Sequence, residues 1–559
     1  MPFAITPTCC NDASCVSVCP VNCIHPTPDE PEFGTTEMLY VDPEACIDCG
    51  ACADACPVDA IFPIESLRGA DAVHAETNRE YFERHPSDHA WGAPEFPRSL
   101  PRDVGPLRIA VVGAGPAAGY AVRDLLHTTD AEITLIDRLP VAGGLLRSGV
   151  APDHPATKRI GEGFAEIYRH PRVRLAFGVE VGRDVTHDEL LTSHSAVVYA
   201  VGAATDRRLD VPGEDLPGSH SATSLVGWYN AHPEQAELPV DLSAERAVVV
   251  GTGNVALDVA RVLLGEPDEL ARTDISDRAL SALRTSRVRE VVLLGRRGPG
   301  AVAFTAGEFL ALRSVPGLEI VVDAAGLPDG EPASRLAEEL ADAAPGSAAA
   351  LLRDLPVVDV DLAGPPPDGR RIVLRFGAPV TALDGSAAVE AVCTGGPVPE
   401  RIAAGLVVRS IGYRGRPVPG LPFDDGAGVV PNDGGRVVDP TSGMPVPGTY
   451  VTGWIKRGPS GGIGTNRADA AETVGRLLDD ATAGDLPAST GSHRGLDALL
   501  RERGTDVLDQ RAVAAIDRAE RDAGVPAGRP RVKFVTVEEM LAVGRPRRRL
   551  MPRLTRGSR

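Results

Sequence analysis

Apolar residues in this chain gather into short unbroken runs, and most of the runs end at a glycine. Leu107–Val112, Ala196–Val201, Ala247–Val250, Glu290–Leu294 and Arg371–Phe376 each lead directly into one. Continuous rather than alternating apolar character predicts strands buried on both faces, as in a parallel sheet. Glu132–Ile136 and Leu406–Tyr413 read as further strands, and helices are expected over Tyr120–Leu126 and after Asn466 through Leu478. The ends of the chain differ. Residues 24–45 are rich in proline and acid and read as a surface loop, and Ile61–Ile64 closes this first part of the chain. Residues 65–104 show no clear apolar period and read as a linker with a short helix near Asn78–His85. Residues 323–370 suggest helix plus loop, with Pro365–Pro367 a surface turn. Residues 495–540 suggest helices with a strand at Arg531–Thr536, before a basic tail around Arg545–Arg553 that is disordered or touches an acidic part of the same chain.

Two of the strand–glycine–helix units carry nucleotide chemistry. The first reads Gly113-Ala-Gly115-Pro-Ala-Ala118-Gly119, and its next strand ends at Asp137. Gly113 makes the tight turn, Gly115 lets backbone approach a pyrophosphate, and Ala118 allows close helix packing. Asp137 is placed to accept hydrogen bonds from a ribose, so this site suits FAD. The second reads Gly251-Thr-Gly253-Asn254-Val255-Ala256, and its next strand ends in Gly295-Arg296-Arg297-Gly298. Guanidinium groups grip a 2′-phosphate with paired donors, so this site suits NADP; a solvated basic turn is the plainer alternative. A third unit, Gly453-Trp454-Ile-Lys-Arg457-Gly-Pro-Ser-Gly461-Gly462-Ile463-Gly464, could turn backbone N–H groups and a helix N-terminus toward a flavin.

Cysteines change the picture at the N-terminus. Cys46, Cys49, Cys52 and Cys56-Pro57 have the C-x2-C-x2-C-x3-C-P spacing of an iron–sulfur site, whose fourth thiolate serves a second cluster. The alternative, zinc, generally uses two separated pairs. A second run, Cys9, Cys15 and Cys19-Pro20, has Asp12 where a cysteine is expected. Crossed ligation then predicts one 4Fe–4S cluster on Cys19, Cys46, Cys49 and Cys52. The other, on Cys9, Cys15 and Cys56, is 3Fe–4S or a 4Fe–4S cluster ligated by Asp12. Cys10 could replace Cys9, Cys23 is left over, and Cys393 stands alone.

With 559 residues, two to four domains are expected. The net charge of -20 argues against a nucleic-acid binder. Cysteines spaced for metal, the absence of a signal peptide and of any 18-residue apolar run point to a reducing cytoplasm without membrane insertion.

The first sixty or so residues resemble bacterial ferredoxins. The stretches GAGPAA, GGLLRSGVAPDHP, GTGNVALDVAR, GRRGP and GWIKRGPSGGIGTNR, in that order, resemble the adrenodoxin-reductase-like ferredoxin–NADP reductases. The resemblance implies an α/β fold of two Rossmann-like, three-layer nucleotide-binding domains, preceded by a small α+β two-cluster ferredoxin domain. Its implied boundaries are ferredoxin 1–64, linker 65–104, FAD-binding 105–205 and 412–490, NADP-binding 206–411, and a C-terminal extension 491–559. By resemblance, Gly115, Asp137, Leu145, Trp454 and Ile463 contact FAD, with Gly461–Ile463 orienting the ring. Asn254, Val255, Arg296, Arg297 and Glu308 bind NADP, Gly461 lies by the nicotinamide, and His154 sits beside the flavin as a proton relay or a structural loop contact.

The implied activity is NADPH–ferredoxin oxidoreduction: hydride from NADPH to FAD, single electrons to the ferredoxin, then to an external acceptor such as a free ferredoxin or a haem monooxygenase. The net direction could also be the reverse. A glutamate-synthase small-subunit-like electron module is the main rival. A disulfide reductase is disfavoured by the missing cysteine pair, and a redox sensor would turn over NADPH negligibly. The acidic first part, with no Lys or Arg before Arg68, would steer toward a basic partner.

Overall fold

The computed structural model describes residues 2–91, 98–101, 104–327, 332–343, 347–396, 398–489 and 491–545. Two seven-stranded sheets dominate it. The first runs, in spatial order, Asn432–Asp433, Arg436–Val438, Pro445–Val451, Ala196–Tyr199, Arg108–Val112, Glu132–Asp137 and Val173–Phe177. From Pro445–Val451 onward it is parallel, with Val112 opposite Tyr199 and Ile109 opposite Ile133. The second sheet is parallel throughout, in the order Ser219–Ser221, Leu406–Arg409, Arg246–Val250, Glu290–Leu294, Arg370–Arg375, Leu318–Asp323 and Val357–Val358. The first sheet thus takes strands from both sides of the second in sequence. A short ribbon, Thr205–Asp206 against Tyr413–Arg414, carries the chain out and back. Central strands such as Ala247–Val249 and Ala196–Tyr199 are fully buried, which is why they read as unbroken apolar runs.

Leu406–Tyr413, expected as one strand, is two. It leaves the sheet after Arg409, turns at Gly412 (φ +109°) and resumes as the ribbon. Ala196–Val201 ends at Tyr199, where the chain bends toward Gly202.

Residues 65–104 are not simply a linker. They hold the helix Val73–Arg84, which buries His74, Asn78, Tyr81 and Phe82. Asn78 is wholly buried, and its side chain works like a strand partner. Its Oδ1 accepts from Ile5 N–H (3.0 Å) and Val41 N–H (2.9 Å), and its Nδ2 donates to Ile5 C=O (2.8 Å). The buried face mixes polar with aromatic residues, so apolar periodicity does not reveal it. Residues 24–45 are likewise more than a loop, because Ile24–His25 pairs with Tyr40–Val41.

The stretch Arg531–Thr536 is extended but forms no strand. Val532 N–H donates to Glu520 C=O (2.9 Å) and Phe534 N–H to the Glu520 carboxylate (3.0 Å). The basic tail beyond 545 lies outside the described residues. Among the described residues no helix is long and apolar enough to cross a membrane.

Candidate cofactor and redox site

The first glycine turn admits no side chain at its first position. Gly113 has φ +102°, and a Cβ there would lie 2.4 Å from Ala200 C=O. Gly115 caps the helix Pro116–Thr128, in which Ala118 is wholly buried. Asp137 braces this turn: its carboxylate accepts from Ala114 N–H (2.8 Å) and Leu139 N–H (2.8 Å), while burial pushes its pKa above the usual value. A second glycine loop lies across the turn, with Gly143 N–H donating to Ala114 C=O (2.9 Å) and a Cβ on Gly144 reaching within 3.0 Å of Gly115 Cα. Leu145 opens the short helix Leu145–Ser148 from there. The third wall comes from the far end of the sequence. Gly453 packs so that a Cβ would approach Ala117 Cβ to 2.7 Å, and its N–H donates to Asp469. Trp454 follows, its indole N–H bonded to Ser460 C=O (3.1 Å), before Gly461 (φ +75°), Gly462, Ile463 and the helix Thr465–Ala483. Three backbone segments with little side-chain bulk therefore converge, as a flat dinucleotide requires.

The second turn is built the same way. A Cβ on Gly251 (φ +131°) would sit 2.1 Å from Ser410 C=O. Gly253 caps the helix Asn254–Leu264, in which Val255 is half-buried, and Asn254 Oδ1 accepts from Thr305 N–H (2.8 Å). Arg296 and Arg297 stand exposed at the end of the adjacent strand Glu290–Leu294, and Arg297 donates to Ala301 C=O (3.3 Å).

Between the two turns lies a charged cluster that sequence reasoning found only in part. His154 and Glu308 approach to 3.8 Å (Nδ1 to Oε1). Arg261 donates to His154 Nε2 (2.6 Å), which leaves the ring proton on Nδ1, facing Glu308. Arg261 also pairs with Asp258 (2.5 Å) and Asp153 (3.1 Å). Burial, and then the Arg261 charge, hold His154 below the ordinary histidine value. Burial pushes Asp258 up to about 6 against the pull of Arg261 and His154. Asp153 Oδ1 is buried without a hydrogen-bond partner, an acceptor left for a bound molecule. Asp153, Asp258 and Arg261 carry no motif of their own. The one available signal was that Asp258 and Arg261 sit one turn apart on the helix of the second fingerprint.

The N-terminal thiols sort into two groups. Cys19, Cys46, Cys49 and Cys52 line one cavity with Phe3, Ile24 and Val41. Burial first, and then neighbouring Cys46, Cys19 and Cys49, raise the Cys52 thiol to about 11. Cys9 is likewise raised to about 11, by burial first and then by Cys56 and Asp12. Burial raises the Cys15 thiol as well, and the nearby Cys9, Asp12, Cys56 and Cys52 add to it. Thiols that disfavour one another's ionisation this way suit a metal centre, whose charge inverts the penalty. Asp12 is engaged elsewhere, accepting from Ser14 N–H (3.2 Å) and Ser14 O–H. Cys10 touches the second group too, and Cys23 Sγ lies 3.5 Å from Cys19 Sγ.

This part is seated on the rest. Gly464 N–H donates to Cys10 C=O (2.8 Å), and Arg467 donates to Asp12 C=O (2.5 Å) and Ser14 Oγ (3.1 Å). Glu37 accepts from Ala306 N–H (2.8 Å) at the start of the helix carrying Glu308, and Pro7 packs on Gly307. Asp59 pairs with Arg159. Cys9 and Cys15 therefore flank a loop that touches the Gly461–Gly464 turn, and Cys56 neighbours Cys9 from the end of the helix Ala51–Ala55.

The chain matches the pyridine nucleotide-disulphide oxidoreductase family over residues 107–292 and a 4Fe-4S binding domain over residues 39–62. A Mycobacterium tuberculosis protein named "Probable ferredoxin/ferredoxin--NADP reductase" is 47% identical over 585 residues, covering 99% of this chain and 98% of its own. Human mitochondrial NADPH:adrenodoxin oxidoreductase is 43% identical over 459 residues, covering 78% of this chain and 91% of its own. Among solved structures, Mycobacterium tuberculosis FprA in complex with NADPH aligns with a TM-score of 0.70 at 40% identity, over 79% of this chain and all of that one. With the whole length matched at this identity, the chain belongs to the ferredoxin/ferredoxin–NADP reductase family.

Proposed function

We propose that this chain is an NADPH–ferredoxin oxidoreductase whose ferredoxin is its own first part. The carrying observation is the seat of Cys10 on Gly464, the residue after the Gly461–Ile463 turn, and of Asp12 on Arg467 in the helix that follows. Bound FAD would supply the exchange between the two-electron chemistry of a nicotinamide and the one-electron chemistry of iron–sulfur clusters. Gly113, Gly115, Ala118, Asp137 and Leu145 hold its pyrophosphate and ribose side, and Trp454, Gly461, Gly462 and Ile463 its ring. Gly253, Asn254 and Val255 cradle NADPH, with Arg296 and Arg297 on its 2′-phosphate. A full-length match to a reductase favours this reading over an electron-input module. Anaerobic mixing with NADPH tests it: the flavin band bleaches, and cluster signals then change in EPR. A flavin that stays oxidised overturns the reading. The final acceptor is a one-electron carrier, a free ferredoxin or a haem protein.

Asp258, Glu308 and His154 face the nicotinamide in this reading. The nicotinamide ring becomes positively charged as the hydride leaves, and nearby carboxylates stabilise that charge only when ionised. Burial pushes the Asp258 carboxyl up to about 6. Flavin reduction should therefore rise with pH through about 6, and Asp258→Asn should flatten that limb and lower the plateau by roughly tenfold. A profile unchanged in Asp258→Asn assigns the titration elsewhere. His154, neutral at pH 7, keeps its Nδ1 proton directed at Glu308.

The second cluster, on Cys9, Cys15 and Cys56, is read as 3Fe–4S, because the Asp12 carboxylate is bonded to Ser14 and a carboxylate holds such iron weakly. Asp12→Cys completes the four-cysteine run. Iron per chain should rise from about seven to about eight, with loss of the EPR signal of an oxidised three-iron cluster. An unchanged signal would mean the fourth corner was already filled. Thiols spaced for iron rather than for disulfides support a reducing compartment, the cytoplasm, in this reading.

A further inference from the structure

The C-terminal extension matches no part of the nucleotide-binding fingerprints, yet it buries charge against both sheets. The helix Gln510–Gly524 presents Glu520, wholly buried, to Arg147, which meets it with two donors at 2.8 and 2.5 Å. Arg531 and Phe534 N–H occupy the remaining acceptor positions of the same carboxylate (3.1 and 3.0 Å). Arg147 follows the Gly143–Gly144 turn by three residues and opens the stretch that ends at His154.

Lys533 enters the same space from the extended segment. Its side chain is 1% exposed and donates to Arg147 C=O (3.0 Å), Asn230 Oδ1 (3.2 Å) and Asp274 (2.8 Å). Asn230 and Asp274 belong to the part that carries the second fingerprint. Asn230 is also wholly buried and donates to Val150 C=O (3.1 Å), inside the same stretch. From the other side Lys158 reaches Asn230 (3.0 Å) and Asp274 (2.6 Å), one turn beyond His154. Arg529 closes the seam on Thr273 C=O (2.8 Å) and Asp277. Buried charges this fully paired fix one arrangement, since displacing any member strands another.

We propose that the C-terminal extension, through Glu520 and Lys533, is a clamp that positions residues 147–154, and with them His154, against the NADP-binding part. Glu520 and Lys533 are positioning residues; they act through Arg147, Val150 and Asn230. The proposal rests on the reading of NADPH-driven flavin reduction.

The test compares full-length, flavin-loaded wild type with Lys533→Met, Lys533→Arg and Glu520→Gln. Stopped-flow flavin reduction across NADPH concentrations gives the limiting rate and the half-saturating concentration. Amide hydrogen exchange follows residues 147–154. Lys533→Met and Glu520→Gln are expected to slow the limiting rate on the order of 10- to 100-fold, since small misplacements near the reacting groups cost this much. Exchange in 147–154 should rise at unchanged FAD content, and Lys533→Arg should recover most of the rate. A limiting rate at the wild-type value, whether exchange rises or not, overturns the clamp as a positioning device. If Lys533→Met does not fold, Glu520→Gln and Lys533→Arg carry the comparison from opposite sides of Arg147. A wild-type flavin inert to NADPH overturns the functional reading instead, and exchange in the variants still decides whether the extension holds the loop.

Discussion

Replacing Arg296 and Arg297 together with serine should raise the NADPH concentration for half-maximal flavin reduction on the order of 100-fold, while NADH reduction stays within about twofold. The two side chains follow Gly295 at the end of the strand beside the second fingerprint, the position at which a ribose 2′-substituent is read. A hydrogen bond to a charged group is worth about 1.5–3 kcal/mol, and two would give twice that. Both residues are exposed, so solvent screening brings the pair down to about 3 kcal/mol, or roughly 100-fold. The wild-type preference for NADPH should accordingly shrink as salt rises, and the double variant should show little such dependence. Arg296→Ser is the cleaner single change, because Arg297 also braces Ala301 C=O. Equal losses with NADH and NADPH would mean the arginines support the loop rather than the phosphate.

The parts of this molecule that announced themselves are those in which local covalent geometry leaves few choices. Gly113 and Gly251 cannot carry a side chain, and cysteines two and three residues apart can surround one small inorganic body. Elements built from polar burial announced themselves only in part: a short helix near Asn78–His85 was expected, but not its extent from Val73 or what it packs against. The helix around Asn78 replaces backbone pairing with an amide side chain, and its buried face includes His74. The alternation of Val532 and Phe534 imitates a strand, but the partner of those backbone groups is Glu520. Of the cluster around His154, only His154 and Glu308 were legible, each singly and not as a unit. Its members come from residues 153–154, 258–261 and 308, and only the arrangement of the two sheets brings them together. The seat of Cys10 on Gly464 joins positions more than 450 apart in sequence and carries no signature in either.

That seat gives the second large effect. Gly464→Val should leave NADPH-driven ferricyanide reduction, which draws on the flavin, within about twofold, and lower NADPH-driven cytochrome c reduction on the order of 10- to 100-fold. Gly464 has φ -66° and ψ -31°, so valine can adopt its backbone and any effect must come from contact. A Cβ there would lie 2.0 Å from Cys10 C=O, 2.3 Å from Asn11 C and 2.4 Å from Asp12 N. All three are backbone atoms, so no side chain can turn aside, and the Cys9–Cys15 loop must lift from the helix Thr465–Ala483. Overpacking of this kind costs about 1–3 kcal/mol, which is roughly a 10- to 100-fold fall in the seated fraction. The covalent link would still hold the ferredoxin nearby, but a tether supplies concentration and not registry. Arg467→Ala should act in the same direction and more weakly, because it removes the bonds to Asp12 C=O and Ser14 Oγ without adding bulk. Parallel loss of both activities would locate the damage at the flavin turn itself. Unchanged cytochrome c reduction would mean that electrons leave the reductase by a face other than the one Cys10 covers.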